Sequence, residues 1–237
     1  MKRIALFLSI FVTAFAQFTL AQSRDIIRED FDSLTNAIPL GWSNSDHTLS
    51  NPMYNWQYYA PGYGDDGKCL RFNSYTSRSG EISKLKTYSF ALTTEQVLRF
   101  KFRNPTGGDL SVYLSVDGGA TNGNLLESNL QAYDWTEREY SLAAFTGQTN
   151  CCIVFQSTSN AGSGDAFHYL DNVVVEDIPL CSYPQNINLL SVTERSAMLL
   201  WNLSGIGGQP EQYRLMIYDT KTKLTDTTLF DAEELTY

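Results

Sequence analysis

Histidine and charged residues are scarce in this sequence. Its 237 residues include only two histidines, His47 and His168, and 18% of them are charged. The sequence contains neither HExxH nor GxSxG, the short motifs of zinc peptidases and serine hydrolases. Asp165 lies close to His168 and serines are plentiful, so a hydrolytic triad stays open as an alternative to a packed or surface histidine. We predict that the chain is not an enzyme.

An excess of positive charge is also missing. The chain has 17 Lys and Arg against 26 Asp and Glu, which gives a net charge of −9. Affinity for a phosphate backbone comes from counterions that Lys and Arg release. The composition therefore disfavours nucleic acid and anionic membrane surfaces as partners.

Long apolar runs are confined to the N-terminus. A basic start is followed by an apolar run over residues 4–20 and by small residues that end at Ala21. This is the layout of a secretory signal peptide over residues 1–21, with a buried first helix or a membrane anchor as the alternatives. Beyond Gln22 no stretch is apolar enough to span a bilayer. We expect a secreted or cell-surface protein that does not insert into the membrane after cleavage.

Cysteine is sparse, and none of its spacings is CxxC. The sequence has four cysteines, Cys69, Cys151, Cys152 and Cys181. Outside the cytoplasm they could form two disulfides in three connectivities, and free buried thiols are the alternative. Cys151 and Cys152 are adjacent in an apparent strand, so they point to opposite faces and only one readily joins the core.

Alternation of apolar and polar residues is what the sequence has in abundance. Short segments of period two recur from residue 24 to residue 176, separated by glycine-rich turns such as residues 117–119. This pattern, without helical periodicity, predicts an all-β protein whose residues 22–179 form an antiparallel jelly-roll β-sandwich.

A second unit is predicted after two prolines. Pro179 and Pro184 mark a boundary, and a new β pattern begins at residues 197–201. Fewer residues remain than the roughly 100 that an immunoglobulin-type sandwich needs. We expect residues 180–237 to form a partial β-sandwich that the chain leaves incomplete.

Four short motifs occur in a fixed order along the first unit. They are EDFD and IPLGW (residues 29–32 and 38–42), GEISKLKTYSF (80–90), LSVDGGAT (114–121) and YLDNVVV (169–175). Together they resemble the cleaved-adhesin and MAM-like (choice-of-anchor J type) jelly rolls of secreted Bacteroidetes proteins. Tyr88 stands where proline is usual and Asn122 where tryptophan is usual. Residues 184–237 resemble the start of a fibronectin type III domain.

The resemblance implies a structural Ca²⁺ that joins the first and last strands. Asp32 and Asp171, with Glu29, are the predicted ligands, because hard cations take carboxylate and carbonyl oxygens. Neighbouring carboxylates also repel one another unless a cation or hydrogen-bond donors neutralise them. The alternative is that backbone N–H groups satisfy Asp171 while Asp32 is solvated.

Aromatic residues cluster within a short stretch. Six of them fall between residues 42 and 63: Trp42, Tyr54, Trp56, Tyr58, Tyr59 and Tyr63. We predict that Trp42 and Trp56 are core residues, and that Tyr54, Trp56 and Tyr58 share one face of an extended segment. Tyr59 and Tyr63 are predicted to be exposed and to bind a ligand, since aromatic rings suit sugars and protein interfaces.

These features predict a secreted, non-catalytic adhesion or ligand-binding module. Its expected partner is a host or matrix protein or a glycan. One alternative is the accessory region of a secreted peptidase or glycoside hydrolase whose catalytic domain lies outside this chain. The other is a carbohydrate-binding module.

Overall fold

The computed structural model describes residues 25–35, 37–65, 67–105, 108–161, 166–182, 184–192, 197–209, 211–218 and 225–231. The predicted signal peptide, residues 1–21, lies outside them. The strands are β1 (Asp25–Glu29), β2 (Gln57–Tyr59), β3 (Cys69–Asn73), β4 (Ile82–Lys86), β5 (Gln96–Asn104), β6 (Asp109–Ser115), β7 (Asn124–Glu127), β8 (Ala132–Ser141), β9 (Cys152–Thr158), β10 (Phe167–Asp177), β11 (Pro184–Val192), β12 (Ala197–Leu203), β13 (Gln212–Tyr218) and β14 (Thr225–Asp231). Short 3₁₀ turns occur at Pro52–Tyr54, Tyr63–Asp65 and Ala143–Phe145. The described residues contain no helix long and apolar enough to cross a membrane.

Two antiparallel sheets form a sandwich. The six-stranded sheet has the order β2-β3-β10-β5-β8, with β1 also paired to β10. The four-stranded sheet has the order β4-β9-β6-β7. These sheets confirm the predicted all-β fold and its antiparallel sandwich.

Strict alternation explains which face of each strand is buried. In β5, Leu98, Phe100 and Phe102 are almost fully buried, while the basic residues between them are half-buried. Phe100 meets Phe155 of β9 edge to face, with ring centroids 5.0 Å apart, so the two sheets share one core. Trp56 also lies in this core, as predicted.

The segment before β2 departs from the extended conformation predicted for it. Asn51 accepts a hydrogen bond from the Met53 N–H, and this side chain caps a 3₁₀ turn over Pro52–Tyr54. Tyr54, Trp56 and Tyr58 therefore do not share one face. Trp56 is buried whereas Tyr58 is 40% exposed.

All four cysteines are free thiols in the structure. Cys151 belongs to the core cluster, and Cys152 is buried on the opposite side of the strand, beneath Gly119. Period-two geometry thus separates the two neighbours as predicted. Burial raises the pKa of the Cys69 thiol to about 12, so Cys69 is protonated at neutral pH.

Two further antiparallel pairs follow the sandwich. β11 pairs with β12, and β13 pairs with β14. The Glu137 N–H of β8 donates to Asn186 of β11 across 3.3 Å. The division of the chain near residue 179 and the partial fibronectin type III-like domain stay predictions.

Candidate functional site

The outer side of the six-stranded sheet carries aromatic rings where a solvated face usually carries small polar residues. On β10, Phe167 and Tyr169 alternate with the buried His168 and Leu170, so the two rings point away from the core. Arg71 of β3 and Arg103 of β5, which pair with Tyr169, also point away from the core, because residues paired across strands share a face.

Other elements bring further rings to this surface. Tyr169 lies 5.8 Å from Tyr59 and 6.0 Å from Trp135, measured between ring centroids. Trp135 in turn meets Tyr63 edge to face at 6.2 Å. We call this group the aromatic face; its members are Tyr59, Tyr63, Trp135, Phe167 and Tyr169.

Basic side chains lie over these rings. The Arg71 guanidinium carbon is 3.9 Å from the ring centroid of Tyr59 and 4.3 Å from that of Phe167. The Lys101 ammonium is 4.0 Å from the centre of the Tyr63 ring. These are cation–π distances, and such contacts are attractive.

A small cavity opens within the aromatic face. It has a volume of about 90 Å³, and its lining consists of Tyr59, Pro61, Gly62, Arg103, Trp135 and Tyr169. A Cβ added at Gly62 would lie 2.6 Å from the Lys68 carbonyl oxygen and 2.9 Å from an Asp171 carboxylate oxygen. Only glycine therefore fits between this cavity and the acidic residues behind it.

A second, larger cavity collects those acidic residues. Its volume is about 270 Å³, and its lining consists of Asp30, Asp32, Tyr63, Gly67, Asp171 and Asn172. We call it the acidic cavity. Tyr63 borders it and also belongs to the aromatic face, so one residue connects the two sites.

Asp171 is the buried carboxylate of the acidic cavity, with 3% of its surface exposed. Its two oxygens accept hydrogen bonds of 2.7 Å from the N–H groups of Tyr63 and Asn172. Burial raises the pKa of Asp171 to about 6, because these two bonds only partly offset the loss of hydration, and the charges of Asp32 and Asp30 act in the same direction as burial. A positive charge in this cavity would favour the ionised carboxylate.

The acidic cavity has the type of oxygen ligands that a hard cation takes. Its carboxylates are, however, not close enough together to form a metal site as they stand. Carboxylate oxygens are the ligands that Ca²⁺ prefers. However, the described residues contain no group of three or more acidic, histidine or cysteine side chains already close enough to hold a metal. One Asp32 oxygen accepts the Lys68 N–H at 2.7 Å, and the Lys68 ammonium donates to the carbonyls of Asp32 and Leu34.

The predicted ligands do not all meet in this cavity. Asp32 and Asp171 both line it, together with Asp30, which is not among the predicted ligands. Glu29 is not among the lining residues; its carboxylate accepts the Phe31 N–H at 2.9 Å, and burial raises its pKa. The structure thus brings together two of the three predicted residues.

Comparison with known proteins bears on the fold. No protein-family model matches the sequence, and no curated protein sequence matches it. Among solved structures, the K3 cleaved adhesin domain of Lys-gingipain from Porphyromonas gingivalis matches 65% of this chain and 100% of its own length, at 17% identity and a TM-score of 0.51. The K1 domain of the same protein matches 64% of this chain and 97% of its own length, at 18% identity and a TM-score of 0.49.

The sandwich has the cleaved-adhesin fold. The K3 likeness therefore confirms the jelly-roll fold that the sequence motifs imply. At this identity it establishes the fold and nothing about the ligand.

Within the cleaved-adhesin fold, His168 is a packed residue. It is fully buried, and its Nδ1 lies 2.8 Å from the Ser157 hydroxyl, which is also buried. The pair has no open side on which a substrate could approach. Asp165, the third member of the alternative triad, lies outside the described residues.

Sequence reasoning found part of the aromatic face. Both predicted tyrosines belong to it. Tyr63 is 42% exposed, whereas Tyr59 is half-buried and not exposed as predicted, because its ring packs against Tyr169 and Arg71. Trp135 and Tyr169 were missed because they lie far along the chain from residues 42–63. Their strands show alternation in the sequence, but only strand pairing shows that their outward side chains meet.

Proposed function

We propose that this chain is a secreted, non-catalytic module that binds a glycan on the aromatic face. The observation that carries the proposal is the convergence of rings from β2, β8, β10 and the Tyr63 turn on the outside of a sheet. None of these aromatic side chains belongs to the buried core of the sandwich. Tyrosine and tryptophan suit this role, since each offers a flat apolar surface and a polar edge.

The dimensions of the surface favour a chain of sugars over a small enclosed molecule. Pockets that enclose small molecules usually measure about 300–1,000 Å³. The cavity in the aromatic face has about 90 Å³. Most of a ligand would therefore lie across the rings, with only a single substituent entering the cavity.

The acidic cavity supports this surface from behind. We propose Asp32 and Asp171, together with Asp30, as the residues that would hold a Ca²⁺ ion. Such an ion would supply the positive charge that the buried Asp171 carboxylate needs. Because the backbone N–H of Tyr63 donates to Asp171, an ordered Asp171 also fixes the segment of main chain that carries the Tyr63 ring.

A glycan array tests the proposed function. The purified chain is applied to the array beside its Trp135→Ala and Tyr63→Ala variants. Tyr113→Ala is the matched control, because Tyr113 alternates with core residues of β6 and so faces outward from the other sheet. Binding that is lost in the first two variants and kept in the control supports the proposal; an array with no bound glycan, or equal signals from all variants, contradicts it.

A further inference from the structure

The aromatic face contains a row of alternating charge and ring. Tyr169 of β10 is paired in register with Arg71 of β3 on one side and with Arg103 of β5 on the other. The Arg103 guanidinium carbon lies 5.4 Å from the centre of the Tyr169 ring. Two guanidinium groups therefore flank one aromatic ring on the outside of the sheet.

Unlike most basic residues of the sandwich, these two arginines have no carboxylate as an ion-pair partner among the described residues. Arg71 Nε is buried and has no hydrogen-bond partner among the described residues. Arg103 Nε donates to the Tyr133 carbonyl at 3.2 Å. Neither arginine belongs to an ion pair within the described ranges, whereas Lys101 beside them is paired with Glu137 at 3.2 Å.

It is notable that neither Arg71 nor Arg103 is paired with a carboxylate in a chain of this composition. The net charge is −9, so acidic side chains are abundant. A guanidinium group presents five N–H donors in a planar fork that matches a carboxylate. Two such groups placed together, neither paired with a carboxylate of the described residues, provide electrostatic complementarity for an anion from outside.

The small cavity shows where that anion would lie. Arg103 lines it together with Tyr59, Trp135 and Tyr169. Its volume of about 90 Å³ is well below the roughly 300–1,000 Å³ of pockets that enclose small molecules, so a carboxylate substituent is the part of a sugar that we expect to enter it. The sugar ring would stay outside, in contact with the aromatic side chains.

We propose that the glycan bound by the aromatic face is acidic, a uronate-type saccharide whose carboxylate enters the small cavity and pairs with Arg103. Arg71 supplies the second positive charge on the other side of Tyr169. This inference rests on the proposed glycan-binding function and names the class of its ligand. A charge-assisted pair of this kind is stronger than a neutral hydrogen bond, so the acid is favoured over its uncharged ester.

Affinity electrophoresis or calorimetry with matched polymers tests the inference. The probes are polygalacturonate, alginate and hyaluronate, each beside its methyl ester, which keeps the sugar backbone and removes the charge. We expect at least one acid to bind about tenfold more tightly than its ester. We expect Arg103→Gln to abolish that difference, Arg71→Gln to reduce it, and Arg103→Lys to retain part of it.

The control variant is Lys84→Gln, which removes one positive charge on β4 of the other sheet. It should keep the preference for the acid, which separates a local effect from a change in net charge. Circular dichroism of each variant checks that the sandwich is folded, and Arg71→Gln keeps the test decisive if Arg103→Gln unfolds.

The outcomes separate the two proposals. Equal affinity for acid and ester, unaffected by Arg103→Gln, overturns the acidic specificity and leaves glycan binding intact. Binding to neutral members of the glycan array but to none of the three acids has the same consequence. Binding to no glycan of any kind overturns the proposed function itself.

Discussion

The two sheets of the sandwich present similar inner faces and very different outer faces. Outward residues of the four-stranded sheet include Lys84 and Lys86, whose ammonium groups both pair with Asp46, at 3.1 and 2.8 Å. The outer side of the six-stranded sheet carries five aromatic side chains and two arginines without an ion-pair partner in the described structure. The six-stranded sheet also pairs Lys101 with Glu137 on its outer side, so the contrast lies in the aromatic rings and in the two arginines beside them.

This difference shows at which positions the fold does not determine the type of residue. Inner-face positions are mostly apolar on both sheets, because they fill one shared core, and the buried His168 and Ser157 are paired with each other there. Outer-face positions carry no such requirement, so a concentration of rings there calls for a reason other than folding. A ligand surface is the reason that we propose.

The largest expected effect concerns the shared inner face. Phe100→Ala should lower the free energy of unfolding by about 3–5 kcal/mol, since it removes a ring in contact with Phe102, Tyr140 and Phe155. Urea denaturation measures this loss. Tyr113→Ala, on the outer side of the other sheet, should cost about 1 kcal/mol or less. Equal costs would mean that the outer face is packed as tightly as the core.

Calcium should affect the acidic cavity but not the opposite sheet. Saturating Ca²⁺ should raise the melting temperature of the wild-type chain relative to EDTA, by an amount that corresponds to about 2–3 kcal/mol at a hundredfold excess over the dissociation constant. Asp171→Asn should lose this response, because it removes the buried carboxylate. Differential scanning calorimetry provides the measurement.

Asp46→Asn is the matched control for that experiment, since Asp46 pairs with lysines on the four-stranded sheet. It should respond to Ca²⁺ as the wild type does. If the wild-type melting temperature is the same in Ca²⁺ and in EDTA, the proposal of a Ca²⁺ ion in the acidic cavity is wrong.

Ligand binding should distinguish the outer faces directly. Trp135→Ala should weaken binding to any glycan found on the array by about tenfold or more, because Trp135 contacts both Tyr63 and Tyr169 and its loss disrupts the surface at its centre. Fluorescence titration measures the dissociation constant. If the dissociation constant is unchanged in Trp135→Ala, the glycan binds somewhere other than the aromatic face, regardless of the result for Tyr113→Ala.

The smallest expected difference concerns stability without ligand. Arg71→Gln should cost about 1–2 kcal/mol, since the guanidinium packs against the rings of both Tyr59 and Phe167. Lys84→Gln should cost less than about 1 kcal/mol, as is usual for an exposed ion pair. Thermal melts in EDTA compare the two variants, and a larger loss in Lys84→Gln would reverse this ranking.

Much of the fold could be predicted because its pattern is local. Alternation in β5 already indicates that Leu98, Phe100 and Phe102 face the core. The turn at Pro52–Tyr54 shows where such reasoning fails, since the Asn51 side chain favours a 3₁₀ turn within a segment that otherwise appears extended. For the candidate site, Asp32, Asp171, Tyr59 and Tyr63 were found from motifs and composition.

The sequence by itself determined the all-β class, the buried faces of the strands and the separation of Cys151 from Cys152, because all of these depend on a period of two residues. Only the tertiary structure decided that Arg71, Tyr169 and Arg103 form one row, and that Asp30 rather than Glu29 joins Asp32 and Asp171. Register between strands that are many tens of residues apart in the chain depends on long-range pairing, for which no local pattern provides a guide.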